Sequence, residues 1–187
     1  MGMDNTEKII LDLCGGTGSW SRPYKEAGYD VRVITLPEYD ALTYNPPDHV
    51  YGILAAPPCT DFASSGARWF AEKDRDGRTI DSMGVLIACL RIIADCRPVF
   101  WALENPVGRI RRWLGRPVFI FNPCDFGDPY TKRTLLWGRF SEPEKNPVEP
   151  TEGSKMWRCY GGKSDRTKML RSITPPGFAQ AFFKANR

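Results

Sequence analysis

The chain holds a single histidine, His49, and no Cys-x-x-Cys among its six cysteines, Cys14, Cys59, Cys89, Cys96, Cys124 and Cys159. The spacings of structural zinc sites, zincins and zinc deaminases are all missing, so no metal centre is expected. A Ser-His-Asp or Cys-His hydrolase would depend wholly on His49, which stands in a polar Pro46-Pro47-Asp48-His49 stretch that reads as a turn before a strand. No apolar run approaches the ~18 residues of a membrane-spanning helix. The opening residues, Met1 to Lys8, lack the basic and apolar regions of an export signal. An intracellular, cytoplasmic protein with no membrane partner is expected. Internal repeats and low-complexity tracts are absent too.

What remains is 187 residues, 42% apolar and 26% charged, the size and composition of one globular domain with a real core. A net charge of +4 permits nucleic acid as a partner without demanding it.

Short apolar runs alternate with helical stretches, which predicts an α/β fold: a mostly parallel sheet with helices on both faces. Strands are expected at Lys8–Leu13, Val31–Ile34, Tyr51–Ala56, Val99–Leu103, Val118–Phe121 and Thr134–Trp137. A short helix should run to Ala27 and stop at Gly28. Asp81–Cys96 is almost continuously apolar and predicts a helix buried on most sides. Gly108–Arg116 reads as a short helix with Arg109, Arg111, Arg112 and Arg116 outside and Ile110, Trp113 and Leu114 inside. A final amphipathic helix is expected over Phe178–Asn186, and Ser141–Thr151 is the linker-like surface loop.

Four segments carry candidate chemistry. Asp12-Leu13-Cys14-Gly15-Gly16-Thr17-Gly18 ends the first strand and opens a helix, which puts bare backbone where open α/β sheets bind ligands. The dinucleotide pattern is matched only in Gly16 and Gly18, and the loop alone reads equally as a tight turn. Ala55-Ala56-Pro57-Pro58-Cys59-Thr60 stops a strand at two prolines and presents a thiol between polar flanks, although a free cysteine is also a common core residue. Leu103-Glu104-Asn105-Pro106 holds a carboxylate between an apolar strand and a proline, where desolvation raises its pKa and suits it to share a proton; a helix-capping role is the plainer alternative. Lys132-Arg133 opens another strand and suits a phosphate or a base oxygen, or simple solvation.

The order of these segments, closed by Thr174-Pro175-Pro176-Gly177-Phe178, resembles the DNA (cytosine-5)-methyltransferase family in a compact, phage-like form, from Ile9 to Asn186. The resemblance implies a Rossmann-like, S-adenosylmethionine-dependent methyltransferase domain spanning residues 1–187, as found in DNA modification and restriction-modification. It implies Cys59 as the nucleophile on carbon 6 of cytosine, Glu104 as the partner of N3 and Arg133 as a base-contacting arginine. It assigns the cofactor to Asp12, Cys14, Gly15, Gly16, Thr17, Gly18, Asp40, Pro57 and Ser172, and the DNA to Pro58, Asn105, Lys132, Lys163, Arg166 and Arg171.

This sequence departs from the family's pattern in several places. Thr35 and Leu36 stand where strand two usually ends in an acid, and Thr60 replaces the glutamine of Pro-Cys-Gln. Only residues 139–173 fill the place of a target-recognition domain. From Lys155 to Arg171 that segment interleaves basic residues with Trp157 and Tyr160, the composition of a phosphate-tracking, base-stacking surface. Arg171-Ser172-Ile173 replaces the family's Gly-Asn-Ser-like turn, and a guanidinium there would suit a carboxylated cofactor. A catalytically silent DNA-binding relative is the remaining alternative.

Overall fold

The computed structural model describes residues 4–154 and 165–187. Six strands form, β1 (Ile9–Leu13), β2 (Asp30–Ile34), β3 (Val50–Ala55), β4 (Phe100–Pro106), β5 (Phe119–Phe121) and β6 (Thr134–Arg139), in the sheet order β2-β1-β3-β4-β6-β5. β2, β1, β3 and β4 are mutually parallel, and β6 inserts antiparallel between β4 and β5. It is the α/β architecture that the alternation of segments predicts, in the Rossmann-like form that the resemblance implies. After β2 the chain crosses back over β1 to β3, so the sheet's switch point lies between the carboxyl ends of β1 and β3, where such sheets bind ligands.

The strands are mostly apolar because both faces of the sheet are covered, with Asp12 and Asn105 as buried polar exceptions. Leu11, Leu13, Ile53, Ala55 and Leu103 pack on one face against Leu86, Cys89, Ile92 and Ile93 of α3 (Arg78–Cys96). Ile10, Leu54, Phe100 and Ala102 pack on the other against Tyr24 of α1 (Arg22–Glu26) and Phe178 and Phe182 of the last helix, α6 (Pro176–Ala185). That second face is an aromatic cluster in which the Phe121 and Phe178 rings stack at 3.9 Å. α2 (Phe70–Arg75), α4 (Arg111–Leu114) and α5 (Asp165–Ser172) complete the helices among the described residues.

The expected strands are all present, and β4 runs three residues further than its apolar stretch. Glu104, Asn105 and Pro106 pair with Leu136, Leu135 and Thr134, so the Glu-Asn-Pro segment is strand rather than turn. α3 begins earlier than expected and is buried on one side only, with Ile80 72% and Ile87 59% exposed. The stretch around α4 inverts part of its expected pattern. Arg109 is buried and Trp113 is 45% exposed, because the Arg109 guanidinium is spent on internal partners described below. Gly28 does stop α1 in the left-handed region, and exposed His49 turns the chain into β3.

Candidate active site

The carboxyl ends of β1, β3 and β4, with the amino end of β6, assemble one site. At the end of β1 the chain turns through positive φ at Cys14, Gly16 and Gly18. Gly15 is required by its neighbour, since a Cβ there would lie 2.3 Å from the Asp12 carboxyl carbon. Asp12 is fully buried. Ser21 donates its hydroxyl to one carboxylate oxygen at 2.6 Å, and the other oxygen has no partner among the described residues. Burial is the larger effect and pushes its pKa up from 3.8 to about 6, with the Ser21 hydrogen bonds pulling the other way. Cys14 is half-buried, and a hydrogen bond with Cys89 holds its thiol below the ordinary value against burial and the charges of Asp12 and Asp40. Asp40 therefore stands beside the glycine loop; its own carboxylate accepts the Leu42 amide at 2.9 Å. The last helical segments close over the loop: Thr174 donates its amide to Ser19 Oγ at 2.8 Å, and Ser172 Oγ lies 3.8 Å from where a Gly16 Cβ would stand.

Next to this loop, Pro57 is buried, Pro58 and Cys59 reach the surface, and the Asn105 amide donates to the Pro57 carbonyl at 3.1 Å. Asn105 is fully buried, and this hydrogen bond braces β4 to the Pro-Pro-Cys turn. Glu104 stands near enough for its charge to act on the Cys59 thiol. Burial raises the Cys59 thiol above its ordinary value, and the Glu104 charge raises it further, while Lys132 and Arg171 pull it down. Burial likewise raises Glu104 above the usual carboxylate range, and Lys132 offsets part of this. Lys132 is thus the cation of this site, fixed by a 2.7 Å hydrogen bond from its ammonium to the Arg171 carbonyl. Arg133 is exposed at the foot of β6, and Arg166 is exposed on α5. Lys163 and the basic-aromatic stretch 155–164 lie outside the described residues.

One set of residues that sequence patterns did not signal holds the thiol-bearing turn in place. Lys73 donates to the Thr60 carbonyl at 2.6 Å and pairs with Asp61 at 2.9 Å, while Ser82 donates to the other Asp61 oxygen at 2.5 Å. Arg109 Nε donates to the Asp61 carbonyl at 2.9 Å, and its remaining nitrogens hold Asp74 and Thr79 at 2.8 and 2.7 Å. These donors come from α2, α3 and the turn after β4, a long-range arrangement with no local spacing to betray it.

No protein-family model matches the chain. A type II methyltransferase, M.DdeI of Desulfomicrobium norvegicum, is 24% identical over 213 aligned residues that take in 89% of this chain. The chain is a homologue of a type II methyltransferase. It spans 43% of that relative's length. Among solved structures, one described as a DNA modification methyltransferase encoded within an E. coli prophage aligns over 85% of this chain and 56% of its own, at 16% identity and a TM-score of 0.49.

For this homologue of a methyltransferase, the glycine loop fits S-adenosylmethionine on its own geometry. Bare main chain at Gly16 and exposed Thr17 offers room, and the unpartnered Asp12 oxygen beneath Gly15 is an acceptor of the right sign for a cationic ligand. Asp40 and Ser172 stand at the same loop. Among the described residues no cluster of His, Cys, Asp or Glu could hold a metal, and no helix is long and apolar enough to cross a membrane.

Proposed function

We propose that the chain methylates carbon 5 of cytosine in DNA through a covalent bond from Cys59 to carbon 6. The observation that carries this reading is the pairing of a reachable thiol with a carboxyl group of raised pKa at the switch-point edge of the sheet, beside the glycine loop. Glu104, whose proton affinity burial raises, would donate to N3 of the cytosine, which draws electron density from carbon 6. The Cys59 thiolate would add there, and the electron pair displaced toward carbon 5 makes that carbon the nucleophile. S-adenosylmethionine, when bound by Asp12, Asp40, Ser172 and the 14–18 loop, supplies the electrophilic methyl group. Loss of the carbon-5 proton then returns the electron pair to carbon 6 and expels Cys59. Lys132 and Arg171 favour the thiolate electrostatically.

Residues 139–173 leave little chain to replace a recognition domain. Extruding a base from a duplex costs a few kcal/mol, so single-stranded, mismatched or weakly paired cytosine should be the better substrate. The test is DNA carrying 5-fluorocytosine together with S-adenosylmethionine, which blocks the final elimination. An adduct stable to denaturing electrophoresis should form with the native chain and not with Cys59→Ser. Labelled methyl on DNA without any adduct would overturn the covalent mechanism, and no label at all would overturn the activity.

A further inference from the structure

α4 and its flanks carry three arginines around one recess. Arg111, Arg112 and Arg116, with Gly115, line a surface depression of about 520 Å³ to which no acid contributes. All three side chains are exposed. Arg111 and Arg116 have no ion pair among the described residues, and Arg112 shares only the field of Asp74, whose oxygens are already held by Arg109 and Thr79. A solvated basic face needs no concavity. Three exposed guanidiniums around one open depression, with no acid among its described lining residues, suit an anion, and their forked donors match phosphate oxygens.

The recess is mechanically joined to the thiol-bearing turn. The Ser64 amide donates to the Val107 carbonyl at 2.8 Å and the Arg109 amide to the Phe62 carbonyl at 2.8 Å, with a bridge between Ala63 and Gly108. Gly108 sits so close that a Cβ would lie 1.9 Å from the Phe62 oxygen, and the Phe62 and Trp113 rings meet at 5.7 Å. Residues 59–64 and 107–113 therefore form one body. Seven residue steps from Glu104 to Arg111 reach at most about 25 Å. That is roughly seven phosphates along a strand at 3.4 Å each, less than one duplex turn. DNA engaged at Cys59 extends that far.

We propose that Arg111, Arg112 and Arg116 form a phosphate-binding recess for the backbone of the DNA substrate, an anchor coupled to the Cys59 turn through the backbone hydrogen bonds between residues 62–64 and 107–109. This rests on the reading of the chain as a DNA methyltransferase. The double variant Arg111→Gln, Arg116→Gln is measured by fluorescence anisotropy with a labelled cytosine-containing oligonucleotide across a salt series. Losing two phosphate contacts at about 0.9 each should lower the log–log salt slope by about 1.8 and weaken binding roughly 10- to 60-fold at 0.1 M salt. S-adenosylmethionine binding by calorimetry and alkylation of Cys59 should stay at native levels, which shows that the fold is intact. Arg32→Gln, Arg91→Gln removes the same charge elsewhere and should leave affinity within a factor of a few. An unchanged slope in the first variant, or an equal loss in the second, would overturn the recess. Reduced binding by the first variant alongside a native chain that forms no 5-fluorocytosine adduct would uphold the recess and remove the carbon-5 chemistry; adduct formation with unaltered binding would do the reverse.

Discussion

Lys73 donates its ammonium to the carbonyl of Thr60, the residue after the reactive thiol, and pairs at 2.9 Å with the Asp61 carboxylate, both side chains almost completely buried. A lysine in that position is an internal strut for the Cys59 turn. Breaking a buried pair from one side leaves an uncompensated charge and costs about 3–5 kcal/mol. Lys73→Met should lower the melting temperature by roughly 10 °C. Lys73→Met, Asp61→Asn together should recover part of that loss, as a double-mutant cycle by calorimetry would read; strictly additive losses would show that the two side chains do not interact.

Glu104 and Cys59 oppose each other's ionisation, which gives two readouts of opposite sign. Glu104→Gln should cut methyl transfer by roughly 10²- to 10⁴-fold, the usual worth of a positioned proton donor. The same variant should speed alkylation of Cys59 by iodoacetamide at neutral pH, because the charge that raises the thiol is gone. Lys132→Ala should slow it. A transfer rate within a few-fold of native would make Glu104 a structural strand residue only.

Asp12 titrates from 3.8 to about 6 on burial. A carboxyl group whose folded value lies above its unfolded value favours the fold below pH 3.8, and that contribution disappears as pH rises through 6. At pH 8 the ionised group therefore costs about 3 kcal/mol relative to a neutral one. Asp12→Asn should raise the melting temperature by several degrees at pH 8 and change it little at pH 4, while weakening S-adenosylmethionine binding. Equal melting at both pH values would show that Asp12 is not destabilised by burial.

Gly108→Ala forces a Cβ against the Phe62 carbonyl oxygen, and backbone cannot yield as a side chain can. Overpacking of this kind costs about 1–3 kcal/mol. Because the clash lies between the Cys59 turn and the chain after β4, transfer should fall more than stability does, as parallel rate and melting measurements would establish.

The architecture was legible because strands covered on both sides are mostly apolar, and each of the six contains such a run. The site segments were legible because glycines and prolines mark the ends of strands by backbone chemistry. Arg109 and Trp113 were not. Periodicity places a residue on a face, but whether a guanidinium is turned inward depends on what waits there, in this case the Asp61 carbonyl, Asp74 and Thr79, all 30 or more residues distant in the chain. The same holds for Lys132, whose place beside Cys59 and Glu104 is set by a carbonyl on α5. The bracing role of Asn105 was hidden too, because β4 continues as strand past its apolar stretch, and pairing with β6 carries its amide to the Pro57 carbonyl.

The hydrogen bond from the Thr174 amide to Ser19 Oγ spans 155 positions, and the one from the Tyr24 hydroxyl to the Asn186 carbonyl spans 162. During synthesis at about 5–20 residues per second, the partner of Ser19 leaves the ribosome roughly 10–30 s after Ser19 itself. Until helix 176–185 emerges, the side of the sheet that carries Ile10, Leu54, Phe100 and Phe121 lacks that cover. The nascent chain is at its most adhesive just before that helix appears. Its yield in a cell should depend on a chaperone that masks aromatic surface for those seconds, far more than its equilibrium stability would suggest.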